Sequence, residues 1–304
     1  MNITVTGATG FVGAQLTRAL LNAGHTVHAL ARHRPANLPA AVQFLKWSTE
    51  QEPPRESLAH ADAVIHLVGE PVAQRWTPEA KKRIRGSRVD GTRHLVNALS
   101  TESRRPQVLI SASAIGIYGS RGDEILTEQS SPGDDFLATL VMDWEKAALL
   151  AEALGIRVVR FRFGVVLGEG GALAKMLPPF RLGLGGRLGN GRQWMSWIHI
   201  DDVINLILFI LTDAGVHGPV NATAPEPVTN ADFTKELAAA LHRPAIFPVP
   251  KVALNLLFGE MAGMVLGSQR VLPEAARSCG FEFQHPKLGP ALRNLLSQLT
   301  EPRP

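Results

Sequence analysis

The sequence predicts an α/β fold, a doubly wound parallel sheet followed by a smaller, mostly helical lobe on the substrate side. Two observations carry this expectation. Short apolar, β-branched runs recur at residues 3–6, 26–31, 42–47, 63–68, 108–111 and 158–163. Longer amphipathic stretches lie between several of them, and parallel strands need such crossovers. A chain of 304 residues, 45% of them hydrophobic, has enough apolar surface to bury the core of such a fold.

Taken in order, the first run leads directly into a helix marked by Phe11, Gln15, Leu16, Ala19 and Leu20, with Gly24 placed to end it in a left-handed turn. A second helix is expected from Thr77 as N-cap, with Pro78 at its first position, to about Leu99. After Phe163 the texture changes to glycine and proline, which predicts long functional loops around a short helix. Residues 203–211 form the longest apolar run and read as a buried helix. Past Pro225 the chain is mostly helical, with one strand-like piece at 245–249. The expected division is a dinucleotide-binding domain over residues 1–222, whose insertion at about 166–200 belongs to the substrate side, and a small domain over 223–304.

The junction of first strand and first helix reads Gly7-Ala8-Thr9-Gly10-Phe11-Val12-Gly13. Gly7 permits the tight turn, Gly10 lets the backbone approach a pyrophosphate, and Gly13 lets helix and strand pack closely. The helix start adds unpaired N–H donors and partial positive charge. Strand before and helix after make this a Rossmann-type phosphate loop rather than an ordinary turn. Such a site needs a residue near the adenosine ribose about 20 positions on. Arg32 stands there, with His33 and Arg34 beside it and no carboxylate. A carboxylate would bind the 2′-hydroxyl of NAD and repel a 2′-phosphate, whereas a guanidinium does the reverse, so NADP(H) is the expected cofactor.

Composition narrows the partners. Thirty-one basic residues against 27 acidic ones leave a formal charge of only +4, weak support for nucleic-acid binding. The densest basic stretch, Lys81, Lys82, Arg83, Arg85, Arg88 and Arg93, is best read as a solvated helix face. A single cysteine, Cys279, excludes an intrachain disulfide and a cysteine-based zinc cage, and it is expected to be a small packed residue. No apolar run approaches the roughly 20 residues of a spanning helix, and the first residues carry no secretory pattern. The expectations are therefore a cytoplasmic location, a small-molecule substrate, no metal, no nucleic acid and no membrane.

Several segments together resemble the extended short-chain dehydrogenases. They are the glycine loop, Asp62-Ala63-Val64-Ile65-His66-Leu67-Val68-Gly69, and Ser111-Ala112-Ser113 before Tyr118-Gly119. More narrowly, Gly69-Glu70-Pro71, Ser87-Arg88, Trp144-Glu145, Phe163-Gly164-Val165-Val166-Leu167-Gly168, Gly191-Arg192-Gln193-Trp194-Met195-Ser196-Trp197-Ile198-His199 and Gly267-Ser268-Gln269-Arg270 are similar to an epimerase-like family. That family carries an NAD-dependent epimerase/dehydratase domain and a small C-terminal domain of unknown function. The resemblance implies that Gly7, Thr9, Gly10, Phe11, Val12 and Gly13 line the pyrophosphate and Arg32 the 2′-phosphate. It further implies that Leu67, Val68, Gly69 and Glu70 border the adenosine side. Ser111, Ala112 and Ser113, with Gly164 and Val165, would border the nicotinamide.

The chain departs from that resemblance at the chemistry. Short-chain dehydrogenases use a Tyr-x-x-x-Lys pair, but Tyr118 is the only tyrosine and Gly122 stands four residues on. Counting back from Glu145 puts Leu137 and Val141 at the two positions, and the usual hydroxyl partner becomes Ala114. The arginine that meets a diphosphate in nucleotide-sugar epimerases is replaced by Met195, so a nucleotide sugar is not the expected substrate. Trp194, Met195 and Trp197 suggest an apolar pocket wall instead. Ser113, Tyr118, Glu145 and His199 are the remaining candidates for proton transfer. The sequence thus predicts an NADP(H)-binding, epimerase-like oxidoreductase without the Tyr-Lys pair, the alternative being an NADP(H)-binding regulatory protein without turnover.

Overall fold

The computed structural model describes residues 1–36 and 38–300. Four stretches of the expected sheet come first: β1 (Asn2–Thr6), β2 (Thr26–Ala31), β3 (Gln43–Lys46) and β4 (Ala63–His66), with helix α1 (Phe11–Asn22) crossing from β1 to β2. Gly24, at φ +79°, ends α1 as the sequence predicts. Next come α2 (Pro78–Arg85), α3 (Gly91–Thr101), β5 (Val108–Ala114), β6 (Ile125–Leu126), α4 (Phe136–Leu149), β7 (Arg157–Phe163) and β8 (Val165–Leu167). The substrate side follows as α5 (Gly171–Arg181), β9 (Trp194–Met195) and β10 (Trp197–His199). Helix α6 (Ile200–Thr212) and β11 (Gly218–Ala222) return to the sheet. The remainder is β12 (Val228–Thr229), α7 (Asn230–Leu241), α8 (Lys251–Phe258), α9 (Ala262–Leu266), β13 (Arg270–Val271), α10 (Glu274–Ser278) and α11 (Leu288–Thr300).

The sheet order is β11-β7-β5-β4-β1-β2-β3, parallel throughout. From β1 the chain runs outward to β2 and β3, then returns to β4 on the other side. The switch point therefore lies at the carboxyl ends of β1 and β4, where open α/β sheets bind ligands. Helices cover both faces, so the strands are buried on both sides. On one face Leu16 and Leu20 of α1 and Leu206, Ile207 and Ile210 of α6 pack on Ile3, Val5 and Ile65. On the other, Leu95 and Leu99 of α3 and Ala148 of α4 pack on Val64, Leu109 and Val158. The run 203–211 is the buried core of α6, as its apolar composition predicts. Phe233 and Leu237 of α7 and Leu292 and Leu295 of α11 join the first cluster, so the helical C-terminal part packs continuously with the sheet.

Three expectations change. The helix predicted from Thr77 to Leu99 is divided by a π-helical turn at Gly86–Asp90, which gives α2 and α3. The Thr77 hydroxyl does cap α2, accepting the Ala80 amide at 3.2 Å. The strand-like piece 245–249 makes one isolated bridge, between Val249 and Leu188, because Pro244, Pro248 and Pro250 remove the donors a ladder needs. Cys279 is exposed rather than packed, since it follows the short α10, whose buried position is taken by Ala276. Residues 301–304 of the expected C-terminal domain lie outside the described residues.

Candidate functional site

The loop between β1 and α1 has the geometry of a phosphate cradle. Gly7 takes φ +70° and lies so close to Leu67 and Val68 that an added Cβ would meet their backbone at 2.9 Å. An added Cβ on Gly13 would stand 2.1 Å from the Gly7 carbonyl oxygen, so the loop closes on the helix only with glycine there. Gly10 differs: its Cβ would meet nothing but the Gly7 oxygen, at 3.2 Å, and otherwise points to open space. Gly10 is also the N-cap of α1 and supplies no side-chain acceptor, which leaves the first N–H groups free for an anion. Thr9 and Gly10 are exposed, and Phe11 and Val12 half-buried. The residues present therefore fit a dinucleotide.

Other predicted cofactor residues border this loop. Leu67, Val68, Gly69 and Glu70 leave β4 beside it. The Glu70 amide donates to Ser87 Oγ at 2.9 Å, and its carbonyl accepts from Arg88 Nη1 at 2.9 Å. Arg88 lies between Gly69 and the Trp144 ring, and burial pushes its guanidinium down to about 10. The π-turn delivers Ser87 and Arg88 to this spot, a role that residue periodicity does not reveal. Arg32 and His33 follow the end of β2 and are both exposed. Ser111, Ala112 and Ser113 occupy the carboxyl half of β5. Gly164, where a Cβ would meet Ser196 O at 2.6 Å, joins β7 to β8, and Val165 opens β8.

Three of the four proton-transfer candidates are bound into one buried network. Ser113 Oγ donates to Glu145 Oε1 at 2.6 Å. Arg162 donates to both carboxylate oxygens, at 2.8 and 2.9 Å, and Arg160 adds a third contact at 3.1 Å. Burial opposes the charge on Arg162, yet Glu145 holds that charge firmly and raises its proton affinity. Arg162 Nη1 also donates to Tyr118 Oη at 2.8 Å, and that hydroxyl donates to Asn221 Oδ1 at 2.8 Å. Tyr118 is 0% exposed, and burial pushes its phenol up, away from acid duty. Leu137 and Val141 stand on α4, half-buried and buried, with no polar atom to offer.

His199, the fourth candidate, caps α6, its Nδ1 accepting the Asp201 amide at 3.1 Å. Its ring stacks on His285 at 3.7 Å. Burial, and then the neighbouring His285, push it down to about 4. Asp201 completes a cluster with these two histidines, but the His199 nitrogen that faces it is already an acceptor.

A cleft of about 590 Å³ opens on the substrate side, lined by Asp123, Asn190, Arg192, Gln193, Lys251 and Ser268 among others. Arg192, Gln193 and Ser268 stand in motifs already noted in the sequence, but their convergence with Asp123, Asn190 and Lys251 from four separate segments is visible only in the fold. Trp194 borders the cleft, donating to Asp123 Oδ1 at 2.7 Å beneath the Arg270 guanidinium. Met195 is half-buried, its Sδ accepting from Asn230. Trp197 is not a pocket wall: it is 0% exposed and its indole donates to the Glu226 carbonyl, since β10 pairs with β8 inside the core. The cleft is consequently more polar than the tryptophan spacing suggests.

The basic stretch on α2 and α3 is largely engaged within the protein. Lys81 pairs with Glu260, Arg83 with Glu70, Arg85 with Asp143 and Arg93 with Asp90, while the half-buried Arg88 donates to the Glu70 carbonyl.

Comparisons with known proteins agree with this geometry. The profile of the NAD dependent epimerase/dehydratase family matches residues 3–222, and a domain of unknown function matches residues 249–295. An epimerase family protein of Bacillus subtilis, YfhF, is 41% identical, with 98% of each chain covered. The chloroplastic SDR39U1 homolog of Arabidopsis thaliana is also 41% identical, over 97% of this chain and 87% of the relative. Human epimerase family protein SDR39U1, solved with NADPH, superposes with a TM-score of 0.88 at 35% identity, covering 98% of this chain and 99% of that one. UDP-glucuronic acid 4-epimerase of Bacillus cereus, at 19% identity and a TM-score of 0.80, shares the fold. With its glycine loop at the β1/β4 switch point and its continuous C-terminal part, the chain belongs to the NAD dependent epimerase/dehydratase family, as an NAD(P)-binding Rossmann protein of the SDR39U1 type.

Proposed function

We propose that the protein is an NADP(H)-dependent oxidoreductase acting on a small carbonyl or alcohol, without a Tyr-Lys pair and without nucleotide-sugar specificity. The observation that carries the cofactor reading is the pairing of the open Gly10 cradle with an exposed Arg32, at the end of β2, that makes no ion pair among the described residues. The NADPH held by the human relative supports it. When bound, the nicotinamide supplies or accepts a hydride. The α1 amides would hold the pyrophosphate, Arg32 the 2′-phosphate, and the backbone of Ser111–Ser113 with Gly164 and Val165 would orient the ring's surroundings. No side chain of the Ser113–Glu145–Arg162–Tyr118 network is free to move a proton: each hydroxyl already donates, and the carboxylate lies between two guanidinium groups. Proton exchange therefore falls to groups outside this network.

The same observation favours a second reading, cofactor binding that regulates without turnover. Stopped-flow oxidation of bound NADPH against a panel of ketones, aldehydes, quinones and UDP-sugars separates the two. Oxidation by a small ketone, aldehyde or quinone and none by UDP-sugars is the expected result. No oxidation by any compound transfers the assignment to the regulatory reading. Rapid turnover of a UDP-sugar overturns the substrate reading.

A further inference from the structure

The substrate side carries an apolar face that nothing among the described residues covers. In α8 only Leu254 is buried, whereas Val252, Leu256 and Leu257 are 78%, 81% and 67% exposed. Leu182 and Leu184 of the loop after α5, and Ile246 and Phe247 before α8, are also more than half exposed. These segments form one surface. Gly183 lies against Pro244, the Val249 amide donates to the Arg187 carbonyl at 2.9 Å, the Gly189 amide returns to the Val249 carbonyl at 2.9 Å, and α8 starts at the next residue but one. Proteins that remain single in water rarely leave so continuous an apolar face uncovered.

Charge identifies what would cover it. Residues 170–200 and 237–259 contain Lys175, Arg181, Arg187, Arg192, Arg243 and Lys251 but no aspartate or glutamate. All six are exposed, and none of them forms a salt bridge among the described residues. Exposed apolar side chains on segments that carry unpaired cations, with the adjacent Glu260 already held by Lys81, complement an anionic lipid surface, where leucines enter the acyl boundary and lysines and arginines meet the headgroups. A second copy fits poorly, because a two-fold contact would set these cations against one another, and the neighbouring carboxylate, Glu260, is already paired with Lys81.

We propose that the face built from the loop after α5, the 243–250 segment and α8 docks on the surface of an anionic bilayer, without crossing it. Among the described residues no helix is long and apolar enough to span a membrane, and the expectation of no membrane partner rested on that feature alone. Lys251 lies on both the face and the cleft, so docking would set the cleft mouth at the lipid boundary.

Flotation of the full chain with vesicles tests this, in the absence of any nicotinamide cofactor, so that it stands or falls apart from the oxidoreductase reading. Wild-type protein is expected to float with phosphatidylglycerol/phosphatidylcholine vesicles, far less with phosphatidylcholine alone, and less as salt rises. Leu256→Asp with Leu257→Asp should abolish flotation at unchanged melting temperature, since both side chains are exposed. Arg187→Glu and Lys251→Glu should each lower partitioning about fivefold or more. Absence of flotation, equal binding to neutral vesicles, or a dimer in sedimentation velocity that the Leu256→Asp/Leu257→Asp variant dissociates would each overturn the proposal.

Discussion

In the function proposed here, cofactor choice turns on Arg32. Its guanidinium is exposed at the end of β2, with His33 and Arg34 beside it and no acid in that turn. Arg32→Ala should weaken NADPH by about one to two decades, the worth of on the order of 1.5–3 kcal/mol in charged hydrogen bonds, and leave NADH nearly unchanged; calorimetry reads both. Arg32 was legible in the sequence because its place is set by distance from the glycine loop. The Glu145–Arg162 pair was not, since the two are brought together only when α4 packs across β5 and β7. Glu145 and Tyr118 therefore read as separate candidates for proton transfer, until the network placed both. His66 was likewise hidden: it is fully buried between Thr6 Oγ1 at 2.9 Å and Thr92 Oγ1 at 3.1 Å. Burial pushes its imidazole from 6.5 down to about 4. Above pH 6.5 the imidazole is neutral in both folded and unfolded chains, so its contribution is fully present. Below that the unfolded chain takes the proton first, and stability falls until pH 4. At pH 5 the loss is roughly 2 kcal/mol. Urea midpoints at pH 7 and pH 5 should differ more for the wild type than for His66→Gln; equal differences contradict this assignment.

Among the elements, β1, the glycine loop and α1 were fully legible, because each signal reinforces the next: an apolar run, three spaced glycines and an amphipathic helix with a glycine stop. The packing of Gly168, Gly170 and Gly171 around the Phe11 ring was not, although it explains why the loop after β8 is so rich in glycine. An added Cβ at Gly168 or Gly170 would meet that ring at under 3 Å. The substrate-side loop is thereby tied to the first residue of the phosphate-binding helix. The π-turn between α2 and α3 left no mark in the apolar spacing, since it shifts the register by a single residue. Gly10→Val should abolish dinucleotide binding while the fold persists, because its Cβ meets only one loop oxygen, at 3.2 Å, and the branched side chain would stand where a pyrophosphate must approach. Gly13→Ala should behave differently, losing stability as well, since its Cβ would strike the Gly7 carbonyl oxygen at 2.1 Å. Thermal unfolding with and without NADPH distinguishes the two variants; a Gly10→Val protein still stabilised by NADPH contradicts the loop's role.

At the scale of the whole molecule, the parallel doubly wound sheet follows from alternating strand and helix signals, and its strand order places the glycine loop, the exit of β4 and the end of β5 along one edge. The cleft was not readable, because its walls come from the loop after Tyr118, the residues before β9, the start of α8 and the segment before β13. Cofactor loop and cleft are built from different parts of the chain, so binding and turnover are separable properties. The intact loop with the missing Tyr-Lys pair makes cofactor binding the firmer of the two. Calorimetric titration of NADPH and NADH into the same wild-type protein measures it directly. NADPH is expected to bind at least about tenfold tighter, the lower end of what charged hydrogen bonds to a 2′-phosphate provide. Equal affinity for the two, or no binding of either, would contradict an NADP(H) site at the β1/β4 switch point.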